Sequence, residues 1–449
     1  MSIERAVLSF LDDLEGLNMH GFLLSLHGKT VAEGYWSPFT AEQPHRLFSV
    51  SKSAVSLAIG LLADDGALSL SDHIVDSFPE WVDEATPALL REVTIRDMLT
   101  MSTCYDAAQY RPLRDADWTR PFFFGQPTHP AGTLFSYDTS ASQVMCALVE
   151  RKTGQPVLSF LEKRLFAPLG MTDPKRWLTD RVGTSQGGTG LIMTLRDFAK
   201  LADFCMSDGR GLLSESYLRA ATARQIDTGE RSGPEERYGY GYQFWRMREG
   251  FSMYGLGGQM ALCLPERGIC LCTTADLTLD APGVQPIYDA FFRRLSRVDE
   301  LEHDEHDAAI LRESLGSLRR EPLCFAESNP EGNLCIELPQ AGLPFDAVTI
   351  SSETVSFRMP GGLYELACGN GQWLQGVFPA TEERCVTSGG WRTKDRFELH
   401  CQLIGDFACS MRLFVALRDQ RASVRVVGSV GELAAGWSGL AWGSIIANA

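Results

Sequence analysis

Apolar residues run almost unbroken through Leu57, Ala58, Ile59, Leu61, Leu62 and Ala63, and Asp64-Asp65-Gly66 closes the run. A segment apolar nearly all round is a buried helix, and the closing triplet is a stop signal. At its head the chain reads Arg46-Leu47-Phe48-Ser49-Val50-Ser51-Lys52, which puts Ser49 and Lys52 three apart on one helical face. Two readings fit this spacing. One is an N-cap serine with a snorkelling lysine. The other is a nucleophile and its proton partner, set where unpaired N–H groups and the helix dipole favour developing negative charge.

Elsewhere the pattern alternates between two periods. Residues 21–36 alternate around a His-Gly-Lys turn and predict a hairpin, after an amphipathic helix at the N-terminus. Helical periodicity predicts helices over 140–154, 156–170, 194–209 and 287–298. Strands are predicted over 238–247 and 258–277, the second as a hairpin about Pro265–Gly268. Strands at both ends with helices between them predict an α+β unit over 1–298, an antiparallel sheet flanked by helices. A charged stretch, 299–319, reads as a linker, with His303 and His306 solvated in it. Short alternating segments then predict an all-β unit over 320–449, a small barrel or sandwich.

Composition narrows the partners. The formal net charge of −16 argues against nucleic acid and anionic membrane surfaces. No apolar run is long enough to span a bilayer. The first residues carry acids through their apolar stretch and lack a cleavage-site pattern, so a cytoplasmic protein is expected. The 12 cysteines are scattered without a CxxC pair and are expected to be free buried thiols. Neither a metal nor an organic cofactor is expected.

Four further stretches bear on Ser49 and Lys52. They are "HPAGTLFSYDTS" (129–140) with Tyr137 after a Pro-Gly turn, "LFAPLGM" (165–171), "GGTGLIMTLRDFAKLADF" (187–204) and "YGLGGQMALCLP" (254–265). Their order and spacing resemble the serine β-lactamase and penicillin-binding-protein superfamily, in particular its class C-like branch of esterases, D-aminopeptidases and 6-aminohexanoate-dimer hydrolases. The likeness covers about residues 15–295. It implies Ser49 as nucleophile, Lys52 as proton partner and Tyr137 as general base and acid. It also implies an oxyanion hole from the backbone N–H groups of Ser49 and Gln259, with Gly258 allowing close approach to the substrate. Chemistry agrees in outline. A serine hydroxyl needs a base, a lysine buried among Leu and Ile drifts toward neutrality, and a nearby lysine favours a phenolate. His45 lies close in sequence but is expected in a loop.

The chain departs from the superfamily at two places. Its second motif, usually Tyr-x-Asn, is Tyr137-Asp138-Thr139, and Thr139 cannot mimic an amide. Its third motif, usually opened by Lys or His, opens on Leu256. An uncharged corner suits neutral esters or amides better than a β-lactam carboxylate. The expected function is therefore a serine hydrolase acting on an ester, amide or short peptide through a Ser49 acyl-enzyme. The alternatives are a catalytically weak ligand-binding relative and a D-amino-acid peptidase. Self-association is left open. Loop aromatics such as Trp118, Phe122, Tyr240 and Trp245 are expected mostly in the core, with some lining a substrate cleft. No catalytic side chain is expected beyond residue 320, unless Trp391 and Arg392 overhang the cleft.

Overall fold

In the computed structural model, residues 1–449 are described except 113, 232, 280–282, 327–332, 340–341, 380, 407, 430–435 and 447–449. Two hairpins from opposite ends of the first unit meet in one sheet. The strands of that unit are β1 (Met19–Leu26), β2 (Lys29–Tyr35), β3 (His45–Arg46), β4 (Arg176–Trp177), β5 (Leu191–Met193), β6 (Trp245–Arg246), β7 (Phe251–Gly255), β8 (Gln259–Leu264) and β9 (Ile269–Ala275). Six of them form an antiparallel sheet in the order β2-β1-β9-β8-β7-β6, and β3-β5-β4 form a small second sheet. The β1–β9 pairing, with Leu24 opposite Leu271, joins the chain's early and late segments.

The helices are α1 (Ile3–Asp13), α2 (Val50–Asp64), α3 (Ala88–Arg91), α4 (Ile95–Leu99), α5 (Thr139–Thr153), α6 (Val157–Leu161), α7 (Leu195–Cys205), α8 (Glu215–Thr222), α9 (Gln285–Ala290) and α10 (Glu305–Gly316). Every residue of α2 from Val50 to Leu62 is buried, as its all-round apolar pattern requires. It lies against α5 and β7. Thr194 caps α7 through its side chain, and Gly154 ends α5 in the left-handed conformation.

Three expectations change. The strand over 238–247 shrinks to Trp245–Arg246, preceded by a 3-10 turn at Glu235–Tyr238. Gly239 and Gln243 adopt positive φ, and a Cβ on Gly241 would fall 2.0 Å from the Ala221 carbonyl oxygen, so this backbone is bent to pack and not to pair. His45 is not in a loop but in β3, buried beside His20. Burial holds its imidazole down at about 4, and its ring nitrogens meet His20 and the Gln43 carbonyl, not Ser49. The charged stretch 299–319 is packed, because α10 lies along α1 and Leu311 enters the core beneath it. His303 there hydrogen-bonds Glu4.

The rest of the chain is all β: β10 (Leu334–Glu337), β11 (Ala347–Ile350), β12 (Thr354–Met359), β13 (Gly362–Ala367), β14 (Leu374–Val377), β15 (Arg384–Thr393), β16 (Arg396–Leu403), β17 (Ser410–Arg418), β18 (Arg421–Gly428) and β19 (Gly439–Ile446). Their order, β13-β12-β11-β10-β19-β18-β17-β16-β15-β14, brings the first and last strands side by side in a nearly closed barrel. It has its own apolar core, and Trp391, 1% exposed, lies inside it. The barrel meets the first unit through a small apolar cluster of Phe39, Val386 and Ile404 and through polar bonds. Gln402 Oε1 accepts from Asn18 at 3.1 Å and from Arg320 at 2.6 Å, and Ser410 Oγ donates to Asp276 at 2.7 Å. The Arg46 N–H donates to the Asp406 carbonyl at 2.8 Å. No helix among the described residues is long and apolar enough to cross a membrane.

Candidate active site

Ser49 is placed by what precedes it. β3 pairs with β5, and the Leu47 N–H continues the contact with a bond to the Leu191 carbonyl at 2.8 Å. Phe48 then turns into the left-handed region, φ 46°, which is uncommon for a bulky residue. Its carbonyl is pinned by the Ser51 hydroxyl at 2.6 Å and the Ser51 N–H at 3.0 Å. This turn delivers Ser49 to the N-cap of α2. The serine makes no side-chain capping bond, so its hydroxyl is available elsewhere.

That hydroxyl goes to Lys52, whose Nζ lies 3.0 Å from Ser49 Oγ and 2.9 Å from the Gly188 carbonyl oxygen. Lys52 is 1% exposed. Burial pulls its pKa down to about 7, against the opposing pull of the Asp138 carboxyl. The Gly187-Gly188 pair makes room for this approach. A Cβ on Gly187 would lie 2.3 Å from the Ser142 carbonyl oxygen. One on Gly188 would lie 2.3 Å from the Thr139 methyl and 3.3 Å from Lys52 Nζ.

Tyr137 arrives from the segment that enters α5. It lies beside Ser49, whose hydroxyl acts to lower its pKa, and Lys52 Nζ stands 4.9 Å from the centre of its ring. Burial pushes its phenol well above the ordinary range, and the nearby Ser49 hydroxyl offsets this only in part. The expected phenolate is therefore not favoured, because the lysine lies over the ring face in a desolvated site. Asp138 turns inward instead and caps α5, accepting from the Ser140 N–H at 2.8 Å and from the Ser140 hydroxyl. Burial raises its carboxyl to about 6. Thr139 sits partly buried, its methyl toward Gly188.

The β7–β8 turn closes the other side. A Cβ on Gly255 would fall 2.1 Å from the Leu47 carbonyl oxygen, which fixes the turn against the backbone leading to Ser49. Gly257 and Gly258 both need positive φ, at 83° and 105°. The Gln259 side chain is spent within the turn. Its Nε2 donates to the Leu256 carbonyl at 3.1 Å and the Ala275 carbonyl at 2.6 Å. Any role of Gln259 toward a ligand thus falls to its backbone. Leu256 is half-buried.

Sequence reasoning missed several neighbours. Trp245 stacks on Tyr137 with ring centres 5.6 Å apart and planes 18° from parallel, and Tyr240 meets both rings. Both are buried in the core of the first unit, as expected of most of the loop aromatics. The Gly-Gly of "GGTG" was the available signal for the Gly188 carbonyl. Trp391 does not reach the cleft, since it fills the barrel, and Arg392 stays on the barrel surface near Glu398. Among the described residues no three His, Cys, Asp or Glu side chains gather as a metal site.

The Beta-lactamase family model matches residues 21–275. A 6-aminohexanoate-dimer hydrolase from Paenarthrobacter ureafaciens is 24% identical over 229 residues, 47% of this chain and 58% of that protein, so the match spans little more than half of the relative's length. Among solved structures, an octameric penicillin-binding protein homologue from Pyrococcus abyssi aligns over 94% of this chain and 98% of its own, at TM-score 0.53 and 15% identity. The D-amino acid amidase of Ochrobactrum anthropi SV3 aligns over 65% of this chain and 99% of its own, at TM-score 0.50 and 18% identity. These two likenesses concern the fold. With the family match covering more than half of its length, the chain belongs to the beta-lactamase family, a serine hydrolase family with amide- and ester-cleaving relatives.

Proposed function

We propose that the protein is a serine hydrolase that cleaves an ester or amide through an acyl-enzyme on Ser49. The observation that carries this reading is the 3.0 Å contact between Ser49 Oγ and a buried Lys52 whose pKa lies near 7. About half of such a lysine is neutral at neutral pH, so it can accept the serine proton as the hydroxyl attacks the carbonyl. The oxyanion that forms is met by the backbone N–H groups of Ser49 and Gln259. Tyr137, with its proton held on by burial, passes that proton to the leaving oxygen or nitrogen and is refilled from Lys52. Water then attacks the acyl-enzyme and returns Ser49. This division of labour reverses part of the sequence expectation, because Lys52 takes the base role in acylation and Tyr137 the acid role.

The names of the relatives support the reaction class. The 6-aminohexanoate-dimer hydrolase and the D-amino acid amidase are both amide hydrolases by name. The test is intact-mass analysis after incubation with a fluorophosphonate and with p-nitrophenyl acetate. The native protein is expected to gain one adduct, and Ser49→Ala to gain none and lose turnover while keeping its melting temperature. Turnover by Ser49→Ala within a few-fold of native would remove the nucleophile assignment.

A further inference from the structure

The peptide whose carbonyl receives Lys52 is held from two sides. Gly188 lies between Gly187 and Thr189, and each neighbour is tied to a different element. Arg46, in β3, donates from Nε to the Thr189 carbonyl at 2.9 Å. On the other side stands Gln143, in the second turn of α5, whose side-chain amide makes two bonds at once. Its Oε1 accepts from the Gly187 N–H at 3.0 Å, and its Nε2 donates to the Ser185 carbonyl at 3.2 Å. Gln143, Ser185 and Gly187 are all buried. Ser185 bridges to Thr179 along one edge of this segment. The other edge faces α5, where a helix spends its backbone groups on its own ladder. The Gln143 amide supplies there the donor and the acceptor that a neighbouring strand would give, so neither buried backbone group is left unpaired.

The two bonds fall where the chain is otherwise freest. Gly187 and Gly188 lack side chains, which lets the backbone approach Thr139 and Lys52, but glycine also has the widest choice of conformations. Lys52 Nζ lies 2.9 Å from the Gly188 carbonyl oxygen and 3.0 Å from Ser49 Oγ. A rotated Gly188 peptide would turn its carbonyl off the lysine, and the nitrogen would lose one of the two bonds that aim it. We propose that Gln143 is a positioning residue for this site: its amide fixes the Gly188 carbonyl against Lys52 and so keeps the lysine nitrogen on Ser49. One helix then sets both proton carriers, since Tyr137 lies just before the first turn of α5 and Gln143 in its second. The effect on rate rests on the serine-hydrolase reading, whereas the hold on Lys52 is measurable without turnover.

Two readouts on the full-length protein test this. The first is the NMR titration of Lys52 in protein labelled at the lysine ε-carbons, assigned with Lys52→Arg. A carbonyl acceptor favours the ammonium, so the midpoint is expected about one pH unit lower in Gln143→Met, a side chain of similar length that makes neither bond. Gln143→Asn, a methylene too short to reach both groups, is expected to move it the same way and serves if the methionine variant does not fold. Gln143→Glu keeps the acceptor for Gly187 and, when protonated, the donor for Ser185, while its ionised form adds a negative charge. Its midpoint is therefore expected at or above the native one. The second readout is fluorophosphonate labelling at about pH 9, where the lysine is largely neutral in native protein and Gln143→Met alike, and where the variant is expected to lose about 10–100-fold. A midpoint unchanged in Gln143→Met and Gln143→Asn overturns the proposal whatever Ser49 does, and so does one lowered as far in Gln143→Glu. Slower labelling with an unchanged midpoint also overturns it, since a loosened fold alone would do that. A lowered midpoint with native labelling supports the hold of Gln143 on Lys52 and removes Lys52 as the base for Ser49.

Discussion

The Lys52 nitrogen sits over the face of the Tyr137 ring, 4.9 Å from its centre, while its hydrogen bonds go to Ser49 Oγ and the Gly188 carbonyl. The two groups are thereby held in opposite protonation habits. Burial drives the lysine down to about 7 and the phenol up. Their difference in role follows from position, since both are enclosed by the same low-dielectric surroundings.

Acylation is expected to have an acid limb. Lys52 must be neutral to take the serine proton, so kcat/KM rises as pH passes upward through about 7 and falls as the lysine is protonated below it. Lys52→Arg, which stays charged throughout this range, is expected to lose about 10²–10⁴ in acylation rate. A pH–rate profile of fluorophosphonate labelling checks both. A flat profile from pH 5 to 9 would assign the base elsewhere.

Asp138 sets where that limb falls. Its charge opposes the depression of the Lys52 pKa, so removing it is expected to move the limb to lower pH. Asp138→Asn keeps an acceptor for the Ser140 N–H and hence the α5 cap. The same labelling profile reads the shift, and a limb moved to higher pH would contradict the coupling.

Gly188→Ala is expected to damage the site more than the fold. The added Cβ would meet the Thr139 methyl at 2.3 Å and Lys52 Nζ at 3.3 Å. Overpacking of this kind costs about 1–3 kcal/mol. Since it falls on the segment whose carbonyl holds Lys52, the labelling rate should drop by more than the change in melting temperature accounts for. Native labelling with a lowered melting temperature would place the strain away from the lysine.

Gln402→Leu tests whether the barrel supports Ser49. The variant leaves Asn18 and Arg320 without their shared acceptor at the contact between units, a loss of about 1–3 kcal/mol. The Arg46–Asp406 bond crosses the same contact three residues before Ser49. A lower melting temperature together with slower Ser49 labelling is expected. A melting shift with an unaltered labelling rate would show that the barrel is mere ballast for the chemistry.

The parts of the site that were legible are those encoded by short spacing. Ser49 and Lys52 lie one helical turn apart, and Tyr137 follows its own Pro-Gly turn, so local sequence brings out all three. Trp245 and the Gly188 carbonyl come beside Tyr137 and Lys52 only through tertiary approach, and of the two only the Gly-Gly of "GGTG" gave a local signal. The α+β class and the early and late hairpins followed from alternation around clear turn residues. The stretch 238–247 misled because its aromatics alternate with glycines, a strand-like pattern that here serves a bent backbone packed against α8. The alternation from 320 onward identified strands but not their closure, which depends on β13 and β14 meeting at the seam. The charge of 299–319 concealed α10 because a helix laid on a surface needs only a few apolar residues, Leu311 among them.

The pairing of β1 with β9 also has a consequence in time. Leu24 and Leu271 are partners across roughly 250 residues of chain, and at about 5–20 residues per second the ribosome needs on the order of 12–50 seconds to supply the second after the first. Throughout that interval the β1–β2 hairpin is complete but has one open, apolar edge, a surface that invites pairing with the wrong chain. Ser49 and the whole of α2 emerge early in the same interval. Ribosome-stalled nascent chains of increasing length, probed for fluorophosphonate labelling, are expected to stay silent until β9 has cleared the exit tunnel. Ser49 is thus made near the start of synthesis and must wait for the last strand of its sheet.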